Sequence, residues 1–339
     1  MRPAAGMRRL WPVILAVIGA GSPAAADPIQ MQGLGLPLAC MPGNTCWVAN
    51  YADVDASKGA RDFRCRKRTY DAHDGTDFAI RDLGTMAQGV PVLASAAGLV
   101  KHVRDEMEDT GVSDEASKVR IAGRECGNGV VIKHDGGWQT QYCHLKKGSL
   151  RVKAGDPVET GSELGLVGLS GKTEFPHVHL TVRHRGEAVD PFTGQPLKAG
   201  CGAAAKPLWR DDQPVPYEEV ALYNAGFSSR KPDIEAIRKG LREEGPLSLT
   251  APVLTLWVDI FGVEEGDRIS LRVVGPGGRP VVEHQGTVKK SQARRFEFAG
   301  TRRMSAVWPA GEYRGEITLT RKADGQELTR SITRMVAIR

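Results

Sequence analysis

Apolar residues in this chain come in short runs separated by turn residues. Between positions 73 and 191 such runs cover 76–80, 90–94, 98–103, 129–133, 138–145, 157–158, 164–167 and 178–183. Several are too short for helices, and glycines punctuate them, so the pattern predicts β-strands. A second series begins after residue 247, with expected strands at 254–260, 268–274, 281–287, 294–298, 313–320 and 327–337. Its spacing and the Gly-Pro-Gly-Gly turn at 275–278 suggest a small β-sandwich of Ig-like size. The expected fold class is all-β.

Three stretches depart from this pattern. Residues 27–66 are rich in Gly, Pro and Asn without sustained periodicity, and are expected to be a loop-rich lead-in. Residues 105–124 are polar and acid-rich, and are expected to be a surface loop beside the site that the sheet carries. Residues 206–246 are expected to be a connector with a short helix at 233–242, whose continuation Pro246 blocks. The expected organisation is therefore a first β domain at 67–205 and a β-sandwich accessory domain at 247–339.

The N-terminus carries the pattern of an export signal. Arg2, Arg8 and Arg9 precede a short apolar segment at 10–20, and Ala24-Ala25-Ala26 supplies a small-residue cleavage site. The apolar run is shorter than the about 20 residues needed to span a bilayer, and Pro12 interrupts it. Cleavage after Ala26 would remove three arginines and no acids, taking the formal charge from +6 to +3. That balance does not call for a nucleic-acid partner, and no lipidated cysteine or membrane anchor is expected. The expected location is the periplasm, with release outside the cell as the alternative. All six cysteines lie between residues 40 and 201, an even number in a chain read as exported, which points to disulfides. Folding the expected hairpin about Asp135-Gly136-Gly137 puts Cys126 across from Cys143. Cys40–Cys46 would close a small loop, which leaves Cys65–Cys201.

The chemistry centres on Pro176-His177-Val178-His179-Leu180. Side chains alternate along a strand, so His177 and His179 share one face and Val178 and Leu180 the other. Upstream, His73 and Asp77 stand four apart around Gly75, which is expected to let the backbone turn so that both side chains converge. A catalytic zinc site takes three protein ligands and keeps one position open. His73, Asp77 and one histidine of the pair supply that set; spacing alone does not say which one. The other histidine would stand beside the ion unbound. His144 in Tyr142-Cys143-His144-Leu145 brings a further imidazole. A free histidine titrates near the working pH, can relay a proton, and can donate a hydrogen bond to a developing oxyanion.

Taken in order, His73-x-Gly-x-Asp77, Tyr142-x-His144-Leu145 and Pro176-His177-x-His179 resemble the lysostaphin/LytM-type zinc metallopeptidases, also called LasA-like or beta-lytic endopeptidases. The run 152–158 leading to Gly165-Leu166-Val167-Gly168 is similar as well, and the resemblance covers roughly residues 70–192. It implies an antiparallel β core, one Zn²⁺ per chain in a groove, and hydrolysis of peptide bonds in peptidoglycan. Carried over by position, it makes His73, Asp77 and His179 the ligands, and His144 and His177 the unbound catalytic pair. Phe175-Pro176 departs from the small residue and glycine found there in many members, which could narrow the groove.

A second reading is a catalytically silent zinc-binding regulator of other cell wall hydrolases, with divisome proteins as further partners. The 105–125 stretch is the candidate for covering the site in that reading. His102, His134, His184 and His284 are expected to be ordinary surface or loop residues, His134 capping the hairpin. Asp190-Pro191 is expected to form a turn, and Tyr142 to pack.

Overall fold

The computed structural model describes residues 1, 31, 33–242, 245–323 and 325–339. Apart from Met1, the expected signal segment at 1–26 lies outside the described residues. Strands in the first half of the chain are β1 Cys46–Asn50, β2 Thr76–Ile80, β3 Pro91–Leu93, β4 Gly98–Arg104, β5 Asn128–Lys133, β6 Trp138–Leu145, β7 Pro157–Val158, β8 Glu163–Leu166, β9 His177–His184, β10 Glu187–Asp190 and β11 Gln195–Pro196. The principal sheet runs β1-β2-β9-β6-β5-β4-β7, with β10 also on β9 and β11 on β10; β3 and β8 form a separate pair. All these pairings are antiparallel. The sheet packs one face on a core that includes Phe78, Ile80, Ile132, Tyr142, Val178 and Leu180. Val178 and Leu180 thus face inward, as alternation requires, and the histidines between them face the other way.

The lead-in is more ordered than composition suggests. β1 pairs with β2 and forms the edge of the principal sheet, and Leu34, Leu38 and Tyr51 are buried in its core. All five residues of β1 are buried, because the second half of the chain covers the face that the core does not. A strand covered on both sides shows no alternation, which explains why its periodicity is absent. The polar stretch at 105–124 also contains a helix, α2 Glu115–Ile121, started by a capping box in which Asp114 accepts from the Ser117 amide at 2.7 Å. The other helices are α1 Leu83–Gln88 and α3 Ile234–Arg238.

The second half holds β12 Ala221–Ser228, β13 Val253–Val263, β14 Arg268–Val274, β15 Pro280–Thr287, β16 Gln292–Arg302, β17 Gly311–Ala323 and β18 Gln326–Ile338. They form a three-stranded sheet β12-β13-β16 and a four-stranded sheet β15-β14-β17-β18 around one core. β12 lies where a connector was expected. Its residues are nearly all buried, so Ala-Leu-Tyr-Asn-Ala-Gly-Phe-Ser shows no alternation to mark it. The three disulfides are Cys40–Cys46, Cys65–Cys201 and Cys126–Cys143.

The halves are joined directly. Trp47, Ala49 and Ala79 from the site sheet pack with Ala221, Tyr223 and Phe261 in a third apolar cluster. Arg68 is buried at this junction; it donates to Val48 O at 2.6 Å and to Glu218 O at 3.3 Å, and its guanidinium lies over the Phe261 ring. Gly262 sits at φ +73°, and a Cβ there would lie 2.3 Å from Arg68 Nη1. The bonds that hold Arg68 keep it from withdrawing. Gly262→Ala is therefore expected to cost about 2–4 kcal/mol, combining left-handed strain with overpacking. A lowered urea midpoint would bear this out, and an unchanged midpoint would remove Arg68 as the clasp between the halves.

Candidate metal centre and active site

Two adjacent strands carry the centre. In the β2–β9 ladder Asp77 stands directly opposite His179, and Ala79 opposite His177. Opposed residues of an antiparallel pair share a face at a Cβ separation of about 4.5–5.5 Å, so the pairing alone brings the carboxylate to the imidazole. His73, in the turn entering β2, closes the triangle. His73 Nε2 lies 3.1 Å from Asp77 Oδ1 and 3.1 Å from His179 Nδ1, and the last two atoms are 2.9 Å apart. Ligands held at about 2.0–2.2 Å from a tetrahedral zinc are spaced roughly 3.3–3.6 Å. The triad reaches that spacing by shifts of a few tenths of an ångström, so the donor set fits the ion.

The remaining ring nitrogens fix which atoms are free to bind. His73 Nδ1 meets Tyr51 O at 2.6 Å; a carbonyl only accepts, so Nδ1 carries a proton and Nε2 is the atom left facing the centre. His179 Nε2 is engaged by Thr181 Oγ1 at 2.9 Å and Asp74 Oδ1 at 3.2 Å, leaving Nδ1 inward. Arg183 anchors Asp74 at 2.7 Å. Asn50 Nδ2 donates to Asp77 Oδ2 at 2.8 Å and orients the carboxylate. Partners of this kind set the tautomer and ring angle of metal ligands.

The other two imidazoles are locked in the same manner. His177 Nδ1 donates to Phe175 O at 2.9 Å, and Nε2 stands 3.3 Å from Asp77 Oδ1. His144 Nδ1 donates to Ser170 O at 2.8 Å, and its ring centroid is 4.7 Å from that of His177. In both rings Nε2 is the basic nitrogen. Burial first, and then the charges of His177 and His179, push the His144 imidazolium well below its ordinary range, so the ring is neutral. Burial would raise Asp77, but the charges of His73 and His177 and hydrogen bonds from His177 and His179 outweigh it and hold the carboxyl well below its usual range.

His144 reaches the groove through an irregular backbone. Tyr142 pairs with Leu180 in the core and Cys143 with His179 on the groove face. Strict alternation would return His144 to the core. Its φ of +66° breaks the alternation. The Cys126 carbonyl accepts from its amide at 2.8 Å, and its own carbonyl accepts from Gly168 at 3.0 Å. A bulky residue in the left-handed region is uncommon and is maintained where the surroundings impose it. The Cys126–Cys143 disulfide lies immediately beside it.

The centre opens into two hollows. One, of about 290 Å³, is bounded by Tyr70, His73, His144, His179 and Arg183. The other, of about 330 Å³, is bounded by Asp77, Phe175, His177, Lys118 and Ala293. Tyr70 and Lys172 border both. The 105–125 segment contributes Val112 and Lys118 to the wall of the second.

All five residues read from the motifs are thus neighbours. The expected surface role of His134 is not what the structure has: it is buried, with Nδ1 on Ala97 O at 2.6 Å and Nε2 on Thr140 Oγ1 at 2.8 Å. His102 is exposed, and His184 is half-buried against Trp138. Asp190 accepts from the Phe192 and Thr193 amides in a turn, and Tyr142 is fully buried. The motif reading missed Asn50, Tyr51 and Asp74. Thr181 could have been found from alternation, two residues beyond His179; Asn50 and Tyr51 had no such signal.

Residues 71–191 match the profile of Peptidase family M23. That match takes in about a third of the chain. Over 153 residues it is 34% identical to the peptidoglycan DD-endopeptidase ShyA of Vibrio cholerae, covering 45% of this chain and 27% of that protein. Over 125 residues it is 33% identical to the DD-carboxypeptidase/endopeptidase Mpg of Neisseria meningitidis, covering 37% and 23%. The chain spans only about a quarter of the length of these curated relatives. Among solved structures it is 29% identical to a point mutant of the catalytic domain of the prophage-encoded M23 protein EnpA from Enterococcus faecalis, with a TM-score of 0.29, covering 42% of this chain and 96% of that one.

Gly75 has a role in the centre different from the expected one. Its backbone is not left-handed. A Cβ there would lie 2.5 Å from Leu180 O and 2.7 Å from His179 Nε2, so the glycine is required by close approach of the turn to β9. Gly75→Ala is expected to weaken zinc binding about 10–100-fold, as displaced ligand supports do. Competition against a chromophoric chelator measures this, and wild-type affinity would show that the turn has room to spare.

Proposed function

We propose that the protein is an exported zinc metalloendopeptidase that hydrolyses peptide bonds of peptidoglycan, in the periplasm. The observation that carries the reading is the set of three donor atoms 2.9–3.1 Å apart, flanked by two imidazoles whose Nδ1 atoms are each held on a backbone carbonyl. The names of ShyA and Mpg as peptidoglycan endopeptidases support the substrate class. Three disulfides suit an oxidising compartment and support export. No helix among the described residues is long and apolar enough to cross a membrane.

His73, Asp77 and His179 would hold the ion. Two neutral nitrogens and one carboxylate suit zinc and leave a position open. When bound, zinc supplies Lewis acidity that polarises a peptide carbonyl and makes water nucleophilic near neutral pH. The chain's own residues do the rest. His144 Nε2 faces the groove with a lone pair and is placed to take a proton from the attacking water and return it to the leaving amine. In its imidazolium form His177, with Nε2 3.3 Å from Asp77 Oδ1, is placed to donate a hydrogen bond from Nε2 to the oxygen of the carbonyl as charge builds on it. The regulator reading has less support: all five positions are filled, and the 105–125 segment borders the groove without filling the hollow over His73 and His179.

Purified peptidoglycan is expected to be cleaved with the appearance of new amino ends, to be protected by a chelator, and to be cleaved again when zinc is restored. His144→Ala should retain one zinc per chain while turnover falls about 10²–10⁴-fold. His73→Ala should lose the ion as well. Full activity of His144→Ala would remove it from the proton relay, and an inactive wild-type chain with zinc bound would favour the regulator.

A further inference from the structure

The second half of the chain walls a third hollow that continues the groove. This cleft, of about 720 Å³, lies between the segment carrying α2 and Phe175 on one side and α3 with the start of β16 on the other. It shares Val112, Lys118, Glu174, Phe175 and Ala293 with the hollow that contains Asp77 and His177. A chain lying across the centre therefore has a continuous path into it. The volume lies within the usual range for a ligand site, about 300–1,000 Å³.

Its charges are sorted by wall. On the side of the first half, the charged lining is three acids and one lysine, and that lysine, Lys118, is paired with Glu115 at 2.6 Å. On the side of the second half it is two arginines, Lys239 and one glutamate. The arginines are held in place before any ligand arrives: Arg238 binds the buried Asp259 at 2.9 Å, and Arg294 binds the same carboxylate at 3.2 Å. One carboxylate against two guanidiniums leaves that wall positive. Arg294 also lies over the Phe175 ring, which stacks on His177 at 4.6 Å. Lys239 and Glu174 are exposed on opposite walls.

We propose that this cleft is a substrate subsite for a zwitterionic peptide arm, one carrying a free carboxylate and a primary amine. The carboxylate lies toward Lys239 and Arg294, and the amine toward Glu174. The proposal rests on the reading of the chain as a peptidoglycan peptidase. It makes the second half part of the groove. Opposed walls of opposite sign favour a ligand bearing both charges and disfavour one in which either is masked.

The test is calorimetric titration of the full chain with three synthetic N-terminally acetylated tetrapeptides: one with a free C-terminal carboxylate and a lysine side chain, its C-terminal amide, and its Nε-acetyl form. The wild type should bind the first about five- to tenfold more tightly than either masked form, since each partly exposed charge contact contributes about 1 kcal/mol. Lys239→Glu should abolish the preference over the amide, and Glu174→Lys the preference over the acetylated form. Both positions are exposed, so a thermal midpoint close to wild type confirms folding, and Lys239→Ala gives a milder variant. Equal affinity for the three peptides, no binding of any of them, or unaltered preferences in the variants would each overturn the subsite. Turnover of peptidoglycan by the wild type is read in parallel. Its absence sinks the peptidase reading whatever the titration gives, whereas turnover with no peptide preference sinks only the subsite.

Discussion

The pairing of Asp77 with His179 across the β2–β9 ladder is the contact on which the centre depends. It is a matter of sheet register before it is one of metal chemistry. Slipping either strand by one residue would turn Asp77 or His179 into the core, and would bring Phe78 or Val178 to the groove. The core prevents that slip. Phe78, Ile80, Val178 and Leu180 are each about 1% exposed or less on the inner face, and burying side chains of this size contributes about 1.5–3 kcal/mol apiece. The apolar face of two strands thereby holds polar groups on the opposite face within hydrogen-bonding distance.

Around this pair the protein satisfies every inward-facing ring from behind. Carbonyls of Tyr51, Ser170 and Phe175 hold the Nδ1 atoms of His73, His144 and His177, while Thr181 and Asp74 hold Nε2 of His179. Backbone carbonyls can only accept, so they choose the tautomer without adding charge to the centre. Where a regular strand would point His144 inward, a left-handed backbone turns it outward. The strain of that conformation is offset by two backbone hydrogen bonds, and the adjoining disulfide pins the neighbouring strand.

The second half of the chain bears on the same face. Its Tyr223 and Phe261 cover Trp47, Ala49 and Ala79 beside the centre, and Arg294 and Phe261 both contact Phe175. Phe175 is where the second half meets the histidine pair. The same covering removed the alternation from β1 and β12, so a lead-in and a connector were expected where the structure has strands.

Most of the first sheet was legible in the sequence, because strands with one buried face and one polar face declare themselves by alternation. Four residues of the centre were legible because the chemistry needs particular side chains at short spacings, four residues from His73 to Asp77 and two from His177 to His179; His144 was legible from the motif Tyr142-x-His144-Leu145. The cysteine across from Cys143 could be found by folding one hairpin. The sequence by itself determined that an all-β core would present these imidazoles and this carboxylate. Tertiary structure alone decided the left-handed turn at His144, the hold of Asn50 on Asp77 and of Tyr51 on His73 across more than 20 residues, and the placement of Arg238, Lys239 and Arg294 along the groove. Each depends on contacts between segments distant in the chain, and periodicity reports only on near neighbours.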